Sequence, residues 1–249
     1  MPIKLGQQDG APARPPGSLI DIELPAKRVL FVLMTIICAL MIISLGTYQL
    51  ILMGEGQGFA WSIRNNIIRL FNVDWEANVP TWYSSIALFA VAVLVIYIVS
   101  LKPPGDRYLW HWKLLAAAFV YLSLDEFAQL HETVNRPIRE AFNTDGFLYY
   151  PWVVVAALCL VVFVAVYARF LWHLPPRTRW LFILSGAIFV SGAIVIESLS
   201  SYYETRHGIK SLSYQLAMTV EEFCEMTGVA IFIYALLEYI NELRASSAT

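Results

Sequence analysis

Apolar residues in this chain come in long unbroken blocks, not in the alternation that marks a half-buried strand or a surface helix. The blocks are Val29–Met53, Ser84–Leu101, Trp110–Glu132, Pro151–Trp172, Trp180–Leu199 and Tyr214–Ile240. Each is roughly 20 residues, enough at ~1.5 Å per residue to cross ~30 Å of hydrocarbon. Polar or Pro-rich stretches stop them, such as Lys102-Pro103-Pro104-Gly105 and His173-Leu174-Pro175-Pro176-Arg177. The pattern predicts an all-α, polytopic membrane bundle of six transmembrane helices.

One segment breaks the rule. Between the first two blocks, Phe59, Ala60, Ile63, Ile67, Leu70 and Phe71 recur at helical spacing, opposite Asn65, Asn66, Arg69 and Asn72. This predicts an amphipathic helix lying in the membrane interface. Trp75, Trp82 and Tyr83 beside it fit an aromatic belt.

Composition supports the membrane reading: 58% of the 249 residues are hydrophobic and only 14% are charged, against about a quarter charged in average soluble domains. A formal charge of −2 offers no surface for nucleic acid. Cys38, Cys159 and Cys224 all fall in apolar blocks and read as small buried groups, not as a disulfide set. Residues 1–26 hold five Pro and three Gly and read as a flexible cytoplasmic tail, 27–240 as the six-helix domain, and 241–249 as a second tail.

Lys and Arg set the orientation. With the N-terminus inside, eleven of the 17 fall on inner segments and six on outer ones. The bias puts both termini in the cytoplasm, as in a bacterial inner-membrane protein.

The chemistry sits where the apolar blocks are interrupted by acid. Ser123-Leu124-Asp125-Glu126-Phe127-Ala128-Gln129-Leu130-His131-Glu132 closes the third block, Glu197 lies in the fifth, and Glu221-Glu222-Phe223-Cys224-Glu225 opens the sixth. Charged groups at membrane depth are costly and read by default as functional. Asp125 falls ~18 Å up the third helix from Lys113, Glu221 ~10 Å below the outer boundary of the sixth, and Glu197 ~25 Å up the fifth. Three helices therefore deliver acid to the outer half of the bilayer. In one continuous helix, Asp125, Gln129 and Glu132 share a face within about 60°. On the sixth, Glu221 and Glu225 stand one turn apart with Gly228, whose size permits close helix approach.

No Lys or Arg lies in these stretches, so the acids need another partner. A divalent metal is the first answer: Asp125, Glu126, His131, Glu132, Glu197, Glu221, Glu222 and Glu225 form a hard ligand set suited to Fe, Mn, Zn, Mg or Ca. Such a site would suit a metal-dependent enzyme acting on a lipid or other hydrophobic substrate, with Ser123 as a nearby hydrogen-bonding group. Protons or transported cations are the second answer, giving a coupled transporter or channel. The third is ion pairing by Arg136, Arg139, Arg206 and Lys210 folding in from outer loops, in a non-catalytic subunit or sensor. His111 and His173 read as solvated residues at inner helix ends, and His207 as an outer surface residue. No Gly-x-Ser-x-Gly, His-Glu-x-x-His or nucleotide loop is present. Also absent is the His-x-x-x-His pair on which ceramidase-type membrane hydrolases rely.

Overall fold

The computed structural model describes residues 25–54 and 56–247; all but the end of the 1–26 tail, and the last two residues of the 241–249 tail, lie outside them. Among the described residues there are helices and no strands. In chain order these are α1 (Ala26–Leu52), α2 (Phe59–Phe71), α3 (Val79–Leu101), α4 (Leu109–Ala128), α5 (Leu130–Phe142), α6 (Trp152–His173), α7 (Pro176–Val190), α8 (Glu197–His207) and α9 (Leu212–Ser247). A π-helical segment, Ser191–Ile196, joins α7 to α8 without a break.

Five helices are long and apolar enough to cross a membrane: α1, α3, α6, the α7–α8 rod and α9. The predicted third span is divided. Helix α4 ends at Ala128, Gln129 takes a left-handed conformation (φ 56°, ψ 40°), and α5 starts at Leu130. Any 18-residue stretch of α4 contains Lys113, Asp125 and Glu126, which separates it from the five.

Helix ends follow local chemistry. Asn78 caps α3 by accepting from Thr81 N (3.0 Å), with Pro80 in the first turn. Lys102 and Leu174, each before a proline, turn extended and end α3 and α6. Residues 135–142, in the gap between the predicted third and fourth spans, are helical. Acidic Glu132 opens α5, Arg139 closes it, and Arg136 pairs with Glu140 one turn on (2.8 Å). The polar tail from 241 likewise continues α9 as far as Ser247.

Helix α9 is the central strut, in contact with α1, α3, α7 and α8. Its buried Val229, Phe232, Ile233, Leu236 and Ile240 meet Val91, Val95 and Ile98 of α3 and Trp112 and Leu115 of α4. A second core joins Met226 and Ala230 to Ile37, Leu40 and Met41 of α1. Helices α3 and α4 are tied by Ser85 Oγ donating to Ser123 O and Ser123 Oγ donating to Ser85 O, both 2.9 Å. Ser123 is thereby committed to packing. Helix α6 is peripheral, with Val154, Val155, Leu158, Val161 and Val162 exposed. The apolar residues Phe59, Ile63, Ile67 and Leu70 of α2 are also exposed. The cysteines are free as expected, but Cys38 and Cys159 face outward on α1 and α6.

Candidate metal centre

The left-handed turn at Gln129 builds the first part of the site. Asp125 Oδ1 accepts from the backbone N of His131 (3.0 Å), and Asp125 Oδ2 meets His131 Nδ1 (3.0 Å). A carboxylate that captures a backbone N–H in this way competes with the helix ladder. The shared face expected for Asp125, Gln129 and Glu132 is therefore lost. In its place the chain folds back and sets the imidazole on Asp125. His131 Nε2 then points toward Glu132 Oε1 at 3.8 Å. Asn135 Nδ2 steadies Glu132 by donating to Oε2 (3.2 Å), while its Oδ1 accepts from Trp152 N (3.1 Å). The Trp152 indole packs against His131, with ring centroids 4.7 Å apart.

Glu76 completes this group, and sequence reading missed it. One donor atom from each of Glu76, His131 and Glu132 lies within 4.8 Å of the other two. Donors on opposite sides of one ion, bound at about 2.0–2.6 Å, are about 4–5 Å apart, so the three atoms already fit one coordination sphere. Glu76 rides on residues 72–78, between α2 and α3. Asn72 Oδ1 accepts from Asp74 N (2.8 Å), Asn78 Nδ2 donates to Asn72 O (2.7 Å) and Trp75 O (2.5 Å), and Tyr214 donates to Asp74. Ala77 adopts a positive φ of 54°. The usable signal was the run of Asn72, Asp74 and Asn78 before Pro80: turn-forming residues that hold a short connection rigid.

The electrostatics involve the same neighbours. Burial and the repulsion of Glu132 raise the Glu76 pKa, against the pull of His131, and Asp125 adds to the rise. For His131, burial favours the neutral ring, but Asp125, Glu132 and Glu76 outweigh it and raise its pKa. Asn78→Ala removes the α3 cap and two ties on the Glu76 loop. A loss of about 1–2 kcal/mol is expected, read as a lower thermal midpoint in detergent; an unchanged midpoint would show that the loop is held by other contacts.

Behind this group stand the deeper acids. Glu197, at the start of α8, is buried and accepts from Trp152 Nε1 (2.5 Å). Glu221 is buried on α9 and accepts from Ser200 Oγ (2.7 Å). The π segment brings these walls together. Gly192 lies so close to α9 that a Cβ there would stand 2.8 Å from Glu221 O and from Glu225 Cγ. π-Segments concentrate at functional sites. Glu126 of α4 is an electrostatic neighbour of Glu222, and Glu222 of Glu221 and Glu225. Glu197 is a neighbour of Glu132 and Glu76. The eight residues singled out from sequence thus fall in one neighbourhood. Only His131 and Glu132 of them share the tight donor group, with Glu76 as the third member.

Among the described residues, no Lys or Arg forms an ion pair with these acids. Arg136 pairs with Glu140, Arg139 lies over the Tyr149 ring (3.9 Å), and Arg206 lies over Tyr202 (5.7 Å). No hydrogen bond from a described residue reaches the carboxylate of Glu126, Glu222 or Glu225. Exposed His207 stands by Tyr203, outside the cluster. His111, expected to be solvated, is instead partly buried and stacked flat on Phe170. The expected close approach at Gly228 is present: a Cβ there would stand 2.8 Å from Phe189 N of α7.

No curated protein and no solved structure matches the chain. A family model does match, over residues 27–239, which takes in every residue of the site. The chain belongs to the family described as "Domain of unknown function (DUF8692)".

Proposed function

We propose that this protein is a membrane metalloprotein in which Glu76, His131 and Glu132 hold a divalent cation. One observation carries the reading: Asp125 takes Nδ1 of His131, leaving Nε2 directed at Glu132 with Glu76 alongside. A carboxylate behind the far ring nitrogen is the usual way a ligating histidine is oriented. Two carboxylates and one imidazole favour a hard or borderline ion such as Mn, Fe, Zn, Mg or Ca. Three protein donors leave positions open for water and substrate, as catalytic sites require. The chemistry that follows is metal-assisted attack of water on a lipid or other hydrophobic substrate. Glu126 and Glu222 stand by as proton acceptors.

In this reading α4 is the sixth crossing, α2 lies in the interface with its apolar side in lipid, and both termini are cytoplasmic. The site then opens on the outer side of a bacterial inner membrane. The unpartnered Glu126, Glu222 and Glu225 favour a second reading, proton or cation transfer. Against it, α9 beyond Glu225 carries no carboxylate until Glu238, and Met226, Val229, Ala230 and Ile233 are buried in the core. An acid relay thus ends halfway. Metal analysis of the purified protein tests the proposal. Stoichiometric metal is expected, lost in the Glu76→Gln, Glu132→Gln double variant. A protein that binds no divalent ion, or a double variant that binds it as well as wild type, would overturn it.

A further inference from the structure

At the opposite end of the bundle from the acids, a half-open cavity of about 460 Å³ lies between the start of α4 and α6, lined by Arg107, Tyr108, His111, Ala165, Val166 and Arg169. Its volume lies within the about 300–1,000 Å³ typical of small-ligand sites. Two guanidinium groups and an imidazole line it, and no carboxylate does. Among the described residues, neither Arg107 nor Arg169 has an ion-pair partner; Arg107 rests over the Tyr108 ring (5.4 Å). The neighbouring acid, Asp106, is already engaged by Lys102 (3.3 Å) and by Tyr108 N (2.8 Å).

The wall is rigid. His111 is stacked on Phe170 (5.6 Å, 10°) and meets Tyr108 and Tyr167 edge-on (5.2 and 5.6 Å). Tyr167 donates to His111 O (2.9 Å). Yet His111 Nδ1 is buried with no hydrogen-bond partner. That atom has no access to the cavity, so contact with a ligand falls to the two arginines. Unpaired arginines with planar forked donors are built for phosphate.

We infer that this cavity binds the phosphate headgroup of an anionic phospholipid. The cavity's position commits it to lipid over free phosphate. Trp110 and Trp172 are exposed beside it and mark headgroup depth, and Val161 and Val162 continue the exposed face of α6 into the hydrocarbon region. Basic pockets between membrane helices are suited to such headgroups. The inference is independent of the metal centre.

Native mass spectrometry of the delipidated full-length protein tests it, with phosphatidylglycerol, phosphatidylcholine and inorganic phosphate as separate probes. Phosphatidylglycerol is expected to bind about tenfold or more tighter than phosphatidylcholine, and to raise the thermal midpoint of wild type. The Arg107→Gln, Arg169→Gln variant should lose both effects while keeping its midpoint in phosphatidylcholine. Both arginines are exposed, and Arg169→Gln alone carries the same comparison if the double variant fails to fold. Equal affinity for the two lipids, or a preference that survives both variants, would overturn the site. Inorganic phosphate binding as tightly as phosphatidylglycerol would overturn the lipid assignment.

Discussion

His131→Ala is expected to abolish stoichiometric divalent-metal binding, whereas Asp125→Asn weakens it about 10–100-fold without abolishing it. The two variants separate ligation from positioning. His131 supplies the only nitrogen donor of the group, and Glu76 and Glu132 alone form an open carboxylate pair. Asp125 uses both oxygens, Oδ1 for the backbone N of His131 and Oδ2 for the ring. Asparagine has one acceptor oxygen. It can keep the backbone bond that ends α4 but loses the clamp on Nδ1. Titration calorimetry on detergent-purified protein measures both affinities, and matched melting curves separate ligand loss from unfolding. If His131→Ala retains wild-type affinity, the three-donor centre is wrong. If Asp125→Asn costs nothing, the imidazole is oriented by something other than Asp125.

Gly228→Ala and Gly192→Ala are the substitutions expected to cost the most stability, about 1–3 kcal/mol each from overpacking. At Gly228 the new Cβ would meet Phe189 N and Phe189 Cβ at 2.8 Å and Ser185 O at 2.9 Å. Two of these three atoms are backbone, so α7 must retreat from α9 as a body. At Gly192 the contacts are Glu221 O and Glu225 Cγ at 2.8 Å and Cys224 Cβ at 3.2 Å. Here the π segment itself is pushed off the acid wall, and Glu197 follows it. Both variants should lower the thermal midpoint in detergent. Gly186→Ala on the same rod has nothing within 4 Å and is the control. It should be neutral or gain up to about 1 kcal/mol from helix propensity. A Gly192 variant as stable as the control would mean that α9 does not hold the π segment as closely as described.

What could be read from the residues was mostly what depth and length control. An apolar run of bilayer length has few alternatives, so five of the six expected spans correspond to long apolar helices. Depth along α4 and α9 likewise places Asp125 and Glu221 at the same end of the bundle. The break at Gln129 was not legible, because it comes from a side chain competing with the ladder, and no Pro or Gly marks it. Glu76 was hidden for another reason. It lies in a short polar connection where Trp75 and Trp82 suggested an interfacial belt, and only the hydrogen bonds of Asn72 and Asn78 reveal a fixed platform. Nor does the run Ser191–Ile196 differ in composition from an ordinary apolar α-turn. Its π geometry becomes visible only against α9.

That π segment has a consequence for how the family can vary. A π-turn accommodates one residue more than the α-turn it interrupts. Deleting one residue from 191–196 would remove the surplus residue that the wide turn absorbs, so the α-turns on either side would keep nearly the same phase. Glu197 would stay on its side of the rod, within reach of Trp152, and Ser200 would still face Glu221. What the deletion would remove is the widened turn that lays Gly192 against α9. A family member shorter by one residue here is therefore expected to keep both acid walls facing and to differ only in how closely the rod approaches α9.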